Sequence, residues 1–231
     1  MNARTADILS LLCVLAAAGT AAFLYPDLPE MIPTHWNAAG EIDDYSPRGW
    51  GIVVLLGAPV FVWIIMKLIP AISPKGYRTD TFQQTVNLFQ VVLVAFMSGI
   101  CVLVLLEARG INARINESTY LGIGLLFFIL GNYMTKMRKN FFLGIRTPWT
   151  LASDEVWART HRVGGRIFML GGLLLGLGAF LPLRNEILVT VVVGIALVPV
   201  VYSYFVYRAV EGFVEESDDA DGDDGSTGRS A

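Results

Sequence analysis

Few residues in this sequence have side chains suited to chemistry, and they fall in two clusters. His35 stands in "IPTHWN", eight residues before Asp43 and nine before Asp44. An imidazole beside carboxylates suits a metal ligand, a general base or a hydrogen-bonded loop. A zinc site needs three or four ligands, and this stretch offers one histidine and some carboxylates. His161 stands in "ARTHRVGG", next to Arg162. A cationic neighbour disfavours the protonated ring, and no serine or cysteine stands in evident relation to it. The two cysteines, Cys13 and Cys101, lie inside apolar runs and read as small core residues. No HExxH, GxSxG, Walker or GxGxxG pattern occurs. The expectation is a protein that is not an enzyme and holds no metal or cofactor.

The elements that must carry these clusters are membrane spans. Hydrophobic residues make up 54% and charged residues 16% of the chain, and the mean hydropathy is +0.56. A soluble domain carries about 25% charged residues, so the solvent expected here is lipid. Six blocks approach or reach the ~20 residues a spanning helix needs: Asp7 to Tyr25, Gly51 to Ile72, Leu88 to Ala108, Tyr120 to Met137, Ile167 to Leu183 and Ile187 to Val206. None alternates with period two, which argues against a β-barrel. The first block exceeds a signal peptide's apolar core of about 7 to 15 residues and reads as a retained anchor. The fold class expected is all-α: one bundle of six transmembrane helices in the plasma membrane.

Orientation follows from the basic residues. With the N-terminus inside, Arg4, Lys75, Arg78, Arg208 and seven residues of the 136–166 loop are inside. Arg48, Arg109, Arg114 and Arg184 are outside. Eleven against four is a positive-inside bias, and both termini are then cytoplasmic. Residues 1–118 form an N-terminal three-helix region with an outer loop at 26–50. Residues 119–210 form a second three-helix region with an inner loop at 136–166. Residues 211–231 carry eight acids and one arginine, a net charge of −7 against −3 for the whole chain. This acidic tail reads as disordered.

The spans are poor in polar groups. Lys67 reads as snorkelling from an inner helix end. Glu107, Asn87, Gln90 and Asn132 sit near helix ends, so the midplane charges of an ion-coupled transporter are missing. Gly172 and Gly176 form a GxxxG pair that reads as packing within the bundle rather than dimerisation. In the inner loop Ser153 is placed to cap a short helix, Asp154 to about Val163, lying along the membrane interface. Trp157 and His161, at i and i+4, share one face, while Arg159, Arg162 and Arg166 face another. Arg146, Trp149, Trp157, His161 and Arg162 are the residues expected to meet an inner partner or lipid headgroups. In the outer loop Pro33, His35, Asn37, Gly40 and Asp43 are expected either to bind a partner or to hold the loop's shape. Nothing points to direct contact with nucleic acid.

The run "GNYMTKMRKNFFLGIRTPWTLASDEVWARTHRVGGR" resembles the signature of the SdpI family of bacterial immunity proteins. Gly131, Asn132, Met134, Asn140, Gly144 to Leu151, Val156, Trp157, Thr160 to Arg162, Gly164 and Gly165 match it. The outer loop resembles the "LPxxIPxHxNxxGxxD" hallmark of a domain of unknown function that commonly precedes that signature. It does so through Leu28, Pro29, Ile32, Pro33, His35, Asn37, Gly40 and Asp43. The segment "SPKGYRTD" departs from the more basic run found in relatives. The resemblance implies a membrane protein that protects against a secreted toxic peptide outside and holds a transcription repressor inside. A small-solute or lipid-handling transporter, or a structural envelope protein, is the alternative.

Overall fold

The computed structural model describes residues 1–212 apart from Ala38, Gly76, Arg78 and 182–184, with only the backbone of Asn185. Among the described residues the fold is mostly helical. Helices α1 (Ala3–Leu24), α2 (Arg48–Ile72), α3 (Gln83–Ala108), α4 (Ile115–Met134), α6 (Asp154–Gly178) and α7 (Asn185–Val210) are long, and α5 (Pro148–Ala152) is a single turn. The long helices run alternately up and down. Four segments are long and apolar enough to cross a membrane: Ala3–Asp27, Arg48–Ile72, Asp80–Ala108 and Glu186–Val210.

Three readings of the sequence change. The fold is not purely α, because β1 (Met31–Trp36) and β2 (Ile42–Pro47) pair as an antiparallel hairpin in the 26–50 loop. The register slips on both sides of His35. Pro33 has no N–H to give a ladder, and the irregularity lies just beyond it. Secondly, the helix starting at Asp154 does not stop near Val163 and lie along an interface. It continues through Gly164 and Gly165 to Gly178. Thirdly, Lys67 does not simply snorkel. Its ammonium lies 2.8 Å from Asp7, whose carboxylate also accepts from Trp63 Nε1 at 3.2 Å and Gln90 Nε2 at 3.1 Å. Asp7 is not an edge residue, since α1 starts at Ala3 and places it one turn inside the helix. The cluster ties α1, α2 and α3 together. The acidic stretch from residue 213 lies outside the described residues, as does Arg184 of the turn read around Arg184 to Glu186, while Asn185 and Glu186 open α7.

The glycines of α6 do pack within the chain. A methyl on Gly131 would sit 2.6 Å from the Gly165 carbonyl oxygen, and one on Gly124 would sit 2.5 Å from that of Gly172. These two pairs, seven residues apart on each helix, bring the backbones of α4 and α6 into contact. That contact explains why α6 persists through a Gly-Gly step that favours neither helix nor burial by itself. The hairpin is seated in a similar way. Ile32 is fully buried against Gly51 of α2, where a Cβ would collide with it. Arg48 donates to the carbonyls of Leu28 and Tyr25 and lies 4.5 Å over the Tyr25 ring.

Candidate functional site

The loop from Thr135 to Ser153 closes the end of the bundle opposite the hairpin. Asn140, fully buried, ties its first part into a knot. Its Nδ2 donates to the carbonyls of Arg138 (2.9 Å) and Leu143 (3.1 Å). Its Oδ1 accepts from the N–H groups of Phe142 (2.9 Å) and Leu143 (2.7 Å). All four bonding positions of the amide are thus filled. Gly144 follows with φ of +99°, and a Cβ there would strike the His161 ring. Glycine alone meets both conditions without strain.

His161 is the pin that fixes this loop to α6. It is buried, and its ring stacks on Trp157 with centroids 3.9 Å apart. The Ile145 N–H points at Nε2 at 3.1 Å, so Nε2 must accept. The remaining ring proton is then on Nδ1, which donates to the Trp157 carbonyl at 2.8 Å. The ring is therefore neutral. Burial pushes its pKa down to about 4, against a small opposing effect of the bond to Trp157. The repulsion from Arg162 that the sequence suggests is not the cause; loss of water is. Trp157 Nε1 donates to the Met137 carbonyl at 3.0 Å.

The second half of the loop is held by threonines. Thr147 caps α5 in a reciprocal box with Thr150, and Pro148 occupies the first turn, where its missing N–H costs nothing. Thr150 Oγ1 donates to the Ile145 carbonyl at 2.8 Å, and Thr147 Oγ1 bonds Ser203 of α7 at 3.0 Å. Trp149 meets Tyr204 of α7 edge-on at 5.2 Å. Ser153 caps α6, as its position before two acids suggests.

The five residues expected at this end thus divide. Trp157 and His161 face inward and shape the loop. Trp149 is half-buried, and Arg146 and Arg162 are exposed. Arg146 donates to the Phe141 carbonyl. Arg162 borders a cavity of about 690 Å³ with Arg138, Lys139, Tyr77 and Trp157. Lys139 is paired with Asp154 at 2.7 Å. Arg159 and Arg166 are exposed, as their helical spacing predicts. Asn140, Thr147 and Thr150 carry much of the loop's geometry. They lie within the motif that the sequence displays, but their role depends on contacts that spacing cannot reveal.

At the hairpin end, His35 and Asp43 are both exposed and lie 2.6 Å apart. Among the described residues no three metal-binding side chains cluster. Pro33 is buried under the hairpin. Asn37 closes the turn: its Oδ1 accepts from the Glu41 N–H at 3.0 Å, its carbonyl accepts from the Gly40 N–H at 2.9 Å, and Gly40 has φ of +81°. Asn116 of α4 donates to the Gly40 carbonyl at 3.1 Å and fastens the turn to the second half of the chain.

The loop just described lies within residues 136–205, which match the model of the SdpI/YfhL protein family. Residues 11–58, spanning most of α1, the hairpin and the start of α2, match a domain of unknown function (DUF1648). The chain is 26% identical over 208 residues to the immunity protein SdpI of Bacillus subtilis (strain 168), covering 89% of this chain and 98% of that relative. No solved structure matches it.

Proposed function

We propose that this chain is an SdpI-type membrane protein that confers immunity to a secreted toxic peptide. The observation that carries the reading is collinearity: the match to an immunity protein runs through nearly the whole length of that relative. In this reading the chain crosses the plasma membrane six times, with both termini in the cytoplasm and two three-helix regions, 1–118 and 119–210. The alternation of the six long helices and the eleven-to-four basic bias support that arrangement. Helix α6 begins with charged turns, so only its apolar part, from about Ile167, lies among lipid tails. The hairpin then faces outward, where a peptide arrives, and the 136–166 loop faces inward.

The inner loop is the place for a cytoplasmic partner, a repressor protein or anionic headgroups. Arg146 and Arg162 present exposed guanidinium groups there, with Trp149 at the edge. Trp157 and His161 act indirectly by holding that surface. The exposed pair His35–Asp43, with Pro33, Asn37 and Gly40, shapes the outer surface. Expression of the chain in a host killed by the cognate secreted peptide should restore colony formation; no rescue would count against immunity. Reporter fusions after Pro47 and Ser153 test the topology. The first should read as outside and the second as inside, and an outside signal after Ser153 would overturn it.

A further inference from the structure

A cavity of about 340 Å³ lies beneath the tip of the hairpin, where the two halves of the chain meet. Its walls are apolar: Ile100 and Val104 of α3, and Val189, Val192 and Val193 of α7. Its mouth is formed by Trp36, Asn37 and Gly40 of the hairpin with Asn116 and Tyr120 of α4. We propose that this cavity receives an external peptide that presents an apolar side chain beside a lysine or arginine. This rests on the immunity reading and specifies where the peptide docks and what it must look like.

Three observations carry the proposal. The cavity is pre-formed, because the Asn37–Glu41 turn is closed on itself and the Gly40 carbonyl is bonded to Asn116. A roof already in place avoids the ordering cost that weakens binding. The volume falls at the lower end of ligand pockets, about 300–1,000 Å³, which suits one or two anchoring side chains and not a folded domain. The surroundings are acidic. Glu41 is bonded to Asn37, a residue of the lining, and Asp43 and Asp44 are exposed on the following strand, Asp43 beside His35 at 2.6 Å. Arg48 is turned inward on the carbonyls of Tyr25 and Leu28, and Arg114, next to the lining residues Ile115 and Asn116, is paired with Glu117 at 3.3 Å. An apolar hole roofed by a hairpin that bears exposed carboxylates, with the Trp36 and Tyr120 rings in its lining, favours a cation next to an apolar anchor. A lipid tail would fill the hole without using the carboxylates.

The test is peptide selection on the full chain in nanodiscs, using a displayed library of random 12-residue peptides with empty nanodiscs as counter-selection. Enriched peptides should place a basic residue next to a large apolar one well above library frequency. Their affinity should fall at least tenfold in Val192→Trp, which fills the cavity, and in Glu41→Lys, which reverses an exposed charge without touching the core. Lys75→Ala, an exposed residue of the loop between α2 and α3, should leave it unchanged. Enriched peptides lacking that pairing, unaltered binding to both variants, or no enrichment over empty nanodiscs would each overturn the proposal. A lipid retained in the cavity in place of peptide would do the same. A failure here leaves rescue of a peptide-sensitive host unaffected, whereas capture without any rescue would refute immunity and keep the cavity.

Discussion

Acidification should release the 136–153 loop through His161. The ring lies in the first two turns of α6, ahead of the apolar part of that helix. It accepts from Ile145 through Nε2 and donates to Trp157 through Nδ1, so a second proton would turn an acceptor into a donor facing an N–H. The folded-state pKa, about 4, lies below the unfolded value of about 6.5. The released loop therefore takes up the proton first as pH falls. The stabilisation is complete above about pH 6.5 and is lost progressively toward about pH 4. At pH 5 the loss is about 2 kcal/mol, about a 30-fold drop in the closed-to-open ratio. The assay is amide hydrogen exchange on the full chain in nanodiscs at pH 7.5 and pH 5, corrected for intrinsic rates. Protection of residues 140–147 should fall by about that factor, while α3 stays constant. In His161→Leu the loop should be looser at pH 7.5 and nearly indifferent to pH. Unchanged protection at pH 5, or the same pH response in His161→Leu, would refute the pin.

Other perturbations separate packing from partner recognition. Gly131→Val places a branched side chain where even a methyl meets the Gly165 carbonyl. It should lower the melting temperature by several degrees in detergent, whereas Gly194→Ala, with nothing within 4 Å, should not. Asn140→Ala leaves buried backbone groups of Phe142 and Leu143 without a partner. For the two N–H groups it should cost about 2 to 6 kcal/mol of loop stability at ~1–3 kcal/mol per group, read as faster proteolysis in the 138–146 segment. Arg162→Lys keeps the charge but not the planar fork. Loss of partner recruitment nearly equal to that of Arg162→Ala would mark a specific site, and near-normal recruitment would mark a merely electrostatic one.

Much of the helical frame was legible in the sequence. Apolar blocks located the other five long helices to within about five residues, and Ser153 followed by two acids located the start of α6. The hairpin was not legible, because β2 is exposed and polar and β1 buries two adjacent residues, Ile32 and Pro33, so neither alternates. It exists because Ile32 is seated on Gly51 and Arg48 gathers carbonyls from chain up to 23 residues away. The end of α6 was misplaced for a related reason. Its charged turns and Gly-Gly step look like a loop, and only the opposing glycines of α4 show why the helix continues. At the basic end, i,i+4 spacing correctly put Trp157 and His161 together. It could not show that they turn inward onto Ile145 and Met137 while the arginines alone remain outside. The Asp7 cluster was hidden because its members are 56 to 83 residues apart in sequence.

The most direct measurement of the central claim is survival of cells lacking this protein when challenged with the secreted peptide fraction of their own species. The account predicts that deletion lowers survival by orders of magnitude. It also predicts that the full chain restores survival and that Gly131→Val, which disturbs the bundle, does not. Equal survival of the deletion and complemented strains across that fraction would contradict it.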